Sequence, residues 1–195
     1  MRIYQCSLCL MIIMLIISAC TSGSKSNSEK QNVQDVDSLN MTNAVDQLNP
    51  ENTFPFSESS RIEFISYPTR QDWDQRPVGE QSVISEVLVS DGKVAFDSTM
   101  IKESVFIDAN QSTKLFDVLY KTECIGNDTY FCYDPRNAIF FYDQNNQIIA
   151  AIEICFDCQN YIVSDGLEGI NLCNNHMELL GEVFTEAGIT YFGEE

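Results

Sequence analysis

Basic side chains are scarce in this 195-residue chain: 11 Lys and Arg stand against 29 Asp and Glu, with one histidine and one tryptophan. The formal charge is −18 at pH 7. An acidic excess of this size repels phosphate backbones, and no Lys/Arg cluster offsets it, which argues against nucleic-acid binding. It also disfavours a body lying flat on an anionic membrane and suits solubility in water. One histidine leaves one base for any His-dependent triad. Neither Gly-x-Ser-x-Gly nor His-Glu-x-x-His occurs, and no Gly-rich phosphate loop is present. Acidic pairs such as Asp72/Asp74 and Asp165/Glu168 read as solvated loops, and none fits the calcium-loop pattern. These absences lean away from an enzyme and imply no cofactor. No apolar run reaches the roughly 20 residues needed to span a hydrocarbon core.

What is present begins at the N-terminus. Arg2 precedes an apolar run from Leu8 to Ile17, and Ile17-Ser18-Ala19-Cys20 closes it. The run has signal-peptide length. Together with the small residues before a cysteine, it resembles the signal peptide and lipobox of bacterial lipoproteins. That resemblance implies cleavage before Cys20, which then carries lipid on its sulfur and amine. It places the body outside the cytoplasm, in the cell envelope, attached to a bacterial membrane. Each buried methylene contributes about 0.8 kcal/mol, so two or more acyl chains hold stably. Beyond the leader the likeness to lipoproteins is general and carries over no functional residue except Cys20.

Three regions follow from this reading: a signal peptide over 1–19, a flexible lipid-anchored tether over 20–53, and a globular domain over 54–195. Residues 21–53 are mostly Ser, Asn, Gln, Thr, Asp, Lys and Glu, with no aromatic before Phe54. Such a stretch buries too little apolar surface to offset its ordering entropy. Within it, Met41, Ala44, Val45 and Leu48 fall at helical spacing, and Pro50 limits any helix there.

In the body, Arg61 to Tyr67 reads as a strand ended by Pro68, and the segment around Trp73 as a loop. Val83 to Ser90 and Lys93 to Phe96 flank Asp91-Gly92, a hairpin signal. Val105 to Ile107 adds a short strand. Leu115, Phe116, Leu119 and Tyr120 share one face of a helix over about 111–121. Ala138 to Tyr142 and Ile148 to Cys155 flank a turn that the sequence centres on Asn145-Asn146 as type I′. Asn174 and Asn175 are N-cap candidates for a helix over about 175–187, stopped by Gly188. Ile189 to Phe192 reads as a last edge strand. Clustered strands with two helices predict a single α+β domain with a mostly antiparallel sheet.

Eight cysteines remain to be explained. On the lipoprotein resemblance Cys6 and Cys9 leave with the leader and Cys20 is acylated, which leaves five in the body: Cys124, Cys132, Cys155, Cys158 and Cys173. In an exported protein their default fate is disulfide formation, and an odd number leaves one thiol over. Cys155-Phe156-Asp157-Cys158 is a C-x-x-C, but it ends a strand rather than opening a helix, where a dipole stabilises a thiolate. An extended run puts those Cα atoms roughly 10 Å apart, beyond the 7 Å or so a disulfide allows. In the register set by Asn145-Asn146, Arg136 faces Cys155 and Tyr133 faces Cys158, which brings Cys132 near Cys158 and predicts that bridge. Cys155 and Cys124 are the other disulfide candidates. The same register predicts an Arg136–Glu153 surface ion pair. A zinc alternative also stands: Cys155, Cys158, Cys173 and His176 give C-x2-C-x14-C-x2-H. The sequence therefore points to a lipid-anchored, non-catalytic binding or envelope-associated module with an unknown protein or small-molecule ligand. Its alternatives are a thiol–disulfide redox protein using Cys155 and Cys158, and a small zinc-binding domain.

Overall fold

The computed structural model describes residues 48–69, 88–126, 130 and 132–193, all within the unit Asp37–Glu195. Cys20, the tether before Leu48, the Trp73 segment and Val83 to Val87 lie outside the described residues. Among those described, no helix is long and apolar enough to cross a membrane.

The fold is a single α+β domain. Its main sheet holds five antiparallel strands in the order β4-β1-β5-β6-β7. The strands are β1 (Arg61–Ser66), β4 (Glu103–Phe106), β5 (Asn137–Tyr142), β6 (Ile148–Cys155) and β7 (Asn160–Val163), while β2 (Val89–Ser90) and β3 (Lys93–Val94) form a separate hairpin. Two helices, α1 (Ala109–Tyr120) and α2 (Asn174–Ala187), pack on one sheet face. Asp91 (φ 50°) and Gly92 (φ 68°) make the β2–β3 turn, since two successive positive φ values match the strand twist.

Side-chain alternation places Ile62, Phe64, Ile139, Phe141, Ile152 and Ile154 toward the helices, where Leu115, Phe116, Leu180 and Phe184 meet them. The Phe64 and Phe184 rings stack at 4.2 Å with 4° between planes. The opposite face carries Ile65, Tyr67, Ala138, Phe140 and Ala151, covered by Leu88, the β2–β3 hairpin, Phe96 and Ile101. Both faces are thus dry. That explains why β5 and β6 read as continuous apolar runs, although antiparallel strands usually alternate.

The β5–β6 register has a different origin from the one the sequence predicts. Only Asn146 has positive φ (63°), so there is no type I′ turn at Asn145-Asn146. Asp143 instead accepts through Oδ1 from the amides of Asn145 and Gln147, both at 2.8 Å. An irregularity between Phe141 and Tyr142 then shifts the pairing by one residue. That shift restores the predicted partners, Asn137 with Ile154 and Ala138 with Glu153.

Two further departures concern the C-terminal half. Strand β7, a short run after the C-x-x-C, was not foreseen. Ile189 to Phe192 is not a strand: the amides of Thr190 and Tyr191 donate to the Glu103 carboxylate rather than to a ladder. At the other end of the domain, Leu48 and Phe54 pack against the core ahead of β1.

Candidate functional site

Strand β6 ends at Cys155, and Phe156 to Gln159 reverse the chain into β7, with Gln159 at φ 49° and its amide donating to the Phe156 carbonyl at 3.2 Å. The turn sends its two cysteines apart. Cys158 bonds to Cys132, with Cα atoms 5.5 Å apart. Cys155 stays a free thiol, 2% exposed, and donates to the Asp134 carbonyl at 3.3 Å. Cys124 bonds to Cys173, with Cα atoms 5.4 Å apart. The motif therefore forms no bond within itself, and neither of its cysteines opens a helix.

The zinc set does not converge. Cys158 and Cys173 belong to different disulfides, and His176 is buried in the first turn of α2, accepting the Cys173 amide on Nδ1 at 3.2 Å. Burial pushes its imidazole below the ordinary histidine value, against a backbone hydrogen bond at Thr122 that works the other way. Among the described residues no group of three or more His, Cys, Asp or Glu side chains is placed to hold a metal. Cys173, not an asparagine, is the N-cap residue of α2. Asn175 instead grips the incoming chain: its amide donates to the Glu123 carbonyl at 2.7 Å, and its Oδ1 accepts the Ile125 amide at 2.9 Å.

Arg136 pairs with Asp134 rather than with Glu153. The guanidinium's hydrogen bond is the main reason the Asp134 carboxyl lies below the usual range. Glu153 is buried and accepts from the hydroxyls of Tyr67 and Tyr133, each at 2.8 Å. It faces the layer built by the β2–β3 hairpin, a cover that strand alternation alone does not reveal.

Beside the Cys155–Cys158 turn lies an open groove of about 640 Å³ along α2, a size that suits a small ligand or a few side chains. Its floor is Phe156, Phe192 and Met177. Phe156 meets Phe184 edge-on at 5.6 Å and Phe192 at 5.2 Å. Gly181 faces the Phe156 ring; a Cβ there would lie 3.8 Å from it. Glycine inside a helix costs about 1 kcal/mol relative to alanine, and here its missing side chain leaves the groove open. Glu178, Glu182 and Glu186 border the groove one turn apart.

Each ring of the floor is held by bonds from distant sequence. The Cys132–Cys158 bridge fixes the turn that presents Phe156. The position of Phe192 depends on Glu103, which accepts the Thr190 hydroxyl at 2.6 Å, the Tyr191 amide at 3.0 Å and the Ser66 hydroxyl at 2.8 Å. Burial opposes ionisation of Glu103, but these donors together hold its carboxyl below the ordinary glutamate range. Asn137 Nδ2 also donates to the Tyr191 carbonyl at 3.1 Å. Phe192 is thereby placed in edge-on contact with Phe156. The groove was missed in the sequence, although a glycine in mid-helix and glutamates at 178, 182 and 186 were its visible signs.

Comparison with protein-family models, with curated proteins and with solved structures gives no match.

Proposed function

We propose that the protein is a lipid-anchored, extracytoplasmic binding module without catalytic activity, and that the groove along α2 is its ligand site. The observation that carries this is the construction of the groove. The two touching rings of its floor are set by a disulfide and by a saturated carboxylate, and Gly181 leaves the helix side unfilled. Binding sites gain affinity when their walls are ordered before the ligand arrives, because less side-chain entropy is lost on association. Disulfides within one domain accord with an oxidising compartment, and the leader ending at Cys20 accords with a route to it.

Placement and groove are tested separately. For placement, radiolabelled palmitate is fed to cells expressing the wild type and Cys20→Ala. Label in the wild type alone, with membrane partitioning lost in the variant, supports the anchor; an unlabelled wild type overturns it. Alkylation without reduction addresses the compartment. Four protected cysteines among Cys124, Cys132, Cys158 and Cys173 are expected, and four reactive ones contradict an extracytoplasmic body. For the groove, a panel of small aromatic and aliphatic probes is screened by ligand-observed NMR. Hits lost in Gly181→Leu support the site, and a panel with no such hit counts against it.

A further inference from the structure

We infer that the groove along α2 takes a cationic amphipathic helix from a partner protein, with an apolar side chain seated on the touching rings of Phe156 and Phe192 and lysines or arginines along the glutamate row. This rests on reading the groove as the ligand site and adds the chemistry of its occupant. The first support is the match of apolar floor to acidic border. Phe156 and Phe192 are half-buried, whereas Glu178 and Glu182 are exposed on the same stripe of the helix. Glu186 already pairs with Lys114, but among the described residues no ion pair engages Glu178 or Glu182. Their charges stand one turn apart beside an apolar surface. A ligand helix with cations at the same spacing meets both carboxylates while its apolar face covers the rings, the groove mode of recognition.

The second support is the sign of the whole molecule. A chain at −18 raises the local concentration of cationic partners and speeds their approach, while it rejects acidic ones. An apolar anion in the same groove would face Glu178 and Glu182 at close range, so like-charge repulsion selects against it.

Fluorescence anisotropy of labelled peptides titrated with the full chain tests the inference. The probe is a leucine–lysine amphipathic helix with lysines one turn apart; companions carry glutamine or glutamate in place of lysine. The expected result is binding of the lysine peptide, weakened about fivefold or more in Glu178→Gln/Glu182→Gln and also lost in Gly181→Leu, which fills the groove. The glutamate peptide is expected not to bind. If the glutamine peptide binds as tightly as the lysine one, and Gly181→Leu abolishes both, the groove stands as a site and the cationic occupant is overturned. If the lysine peptide binds Gly181→Leu undiminished, the acidic surface alone captures it, and the groove reading falls as well. Groove-dependent binding to phosphatidylcholine vesicles without binding of the lysine peptide would replace the peptide with a membrane surface. Circular dichroism of each variant confirms that its helices are intact.

Discussion

Removing the disulfides measures how much of this domain is held by covalent loops, and their nesting makes the outcome specific. Cys132–Cys158 closes 26 residues and lies inside the 49 closed by Cys124–Cys173. Treated as a loop-entropy constraint on the unfolded chain, the inner bridge alone contributes about 3.5 kcal/mol and the outer alone about 4 kcal/mol. They are not independent. With the inner bridge closed, the outer loop has only about 24 free links, the outer separation less the inner one with the bridge itself counted. Its increment then falls to about 3.4 kcal/mol. Cys132→Ala/Cys158→Ala should therefore cost about 3 kcal/mol, Cys124→Ala/Cys173→Ala about 3.4 kcal/mol, and all four together about 7 kcal/mol. The last figure exceeds the sum of the pairs, because each bridge shortens the loop left to the other. It also approaches the whole stability of a domain this size, about 5–15 kcal/mol. Urea titration at pH 7 followed by tryptophan-independent far-ultraviolet circular dichroism gives the three values. A cost below about 1 kcal/mol for either pair would refute the reasoning, since no entropic constraint of that loop length would then exist in the native protein.

Other outcomes follow from single side chains. Glu103→Gln should destabilise the domain by about 1 kcal/mol, because a partly exposed acceptor of several hydrogen bonds is weakened; hydrogen exchange at Thr190 and Tyr191 reports it directly. The Glu103 carboxyl is held below the ordinary glutamate value, so its stabilisation is present above that value and disappears as pH falls through the lowered folded one. The wild type should thus lose more stability than Glu103→Gln between pH 5 and pH 3, as urea midpoints would show. His176 is held below the ordinary 6.5 by burial. The unfolded chain therefore binds a proton that the native state refuses, and stability declines as pH drops below 6.5. In His176→Gln that part of the pH dependence should vanish, and an unchanged profile would contradict it. Gly181→Ala should raise stability by about 0.5–1 kcal/mol, since its new methyl sits at ordinary contact distance from Phe156; a loss in thermal melting would show the groove to be tighter than described.

How legible the site was in the sequence differs from residue to residue. The Cys132–Cys158 pairing came from a register argument whose turn was assigned wrongly. Asp143 supplied a side-chain acceptor where two left-handed asparagines were expected, and the one-residue shift at Phe141/Tyr142 restored the partners. The Arg136–Glu153 pair failed for another reason. Alternation identifies which residues share a face, not what covers that face, and Glu153 is buried with tyrosine hydroxyls as its donors. Gly181 and the glutamates around it were visible as letters. Their meaning depended on Phe156 and Phe192 arriving from a turn and a tail outside the helix.

Local chemistry was enough to establish the two helices, the β5–β6 hairpin and the α+β class, because apolar period and turn-forming residues act over a few positions. Gly188, for example, ends α2 at φ 103° where a side chain would resist that conformation. Tertiary structure alone selected Cys173 as the partner of Cys124 across 49 residues, made Glu103 the clasp of the C-terminal segment, and set two touching phenylalanines as the floor of a groove along α2. Those features arise from chain segments that meet only after the sheet has formed, and spacing along a sequence carries no measure of distance through a folded core.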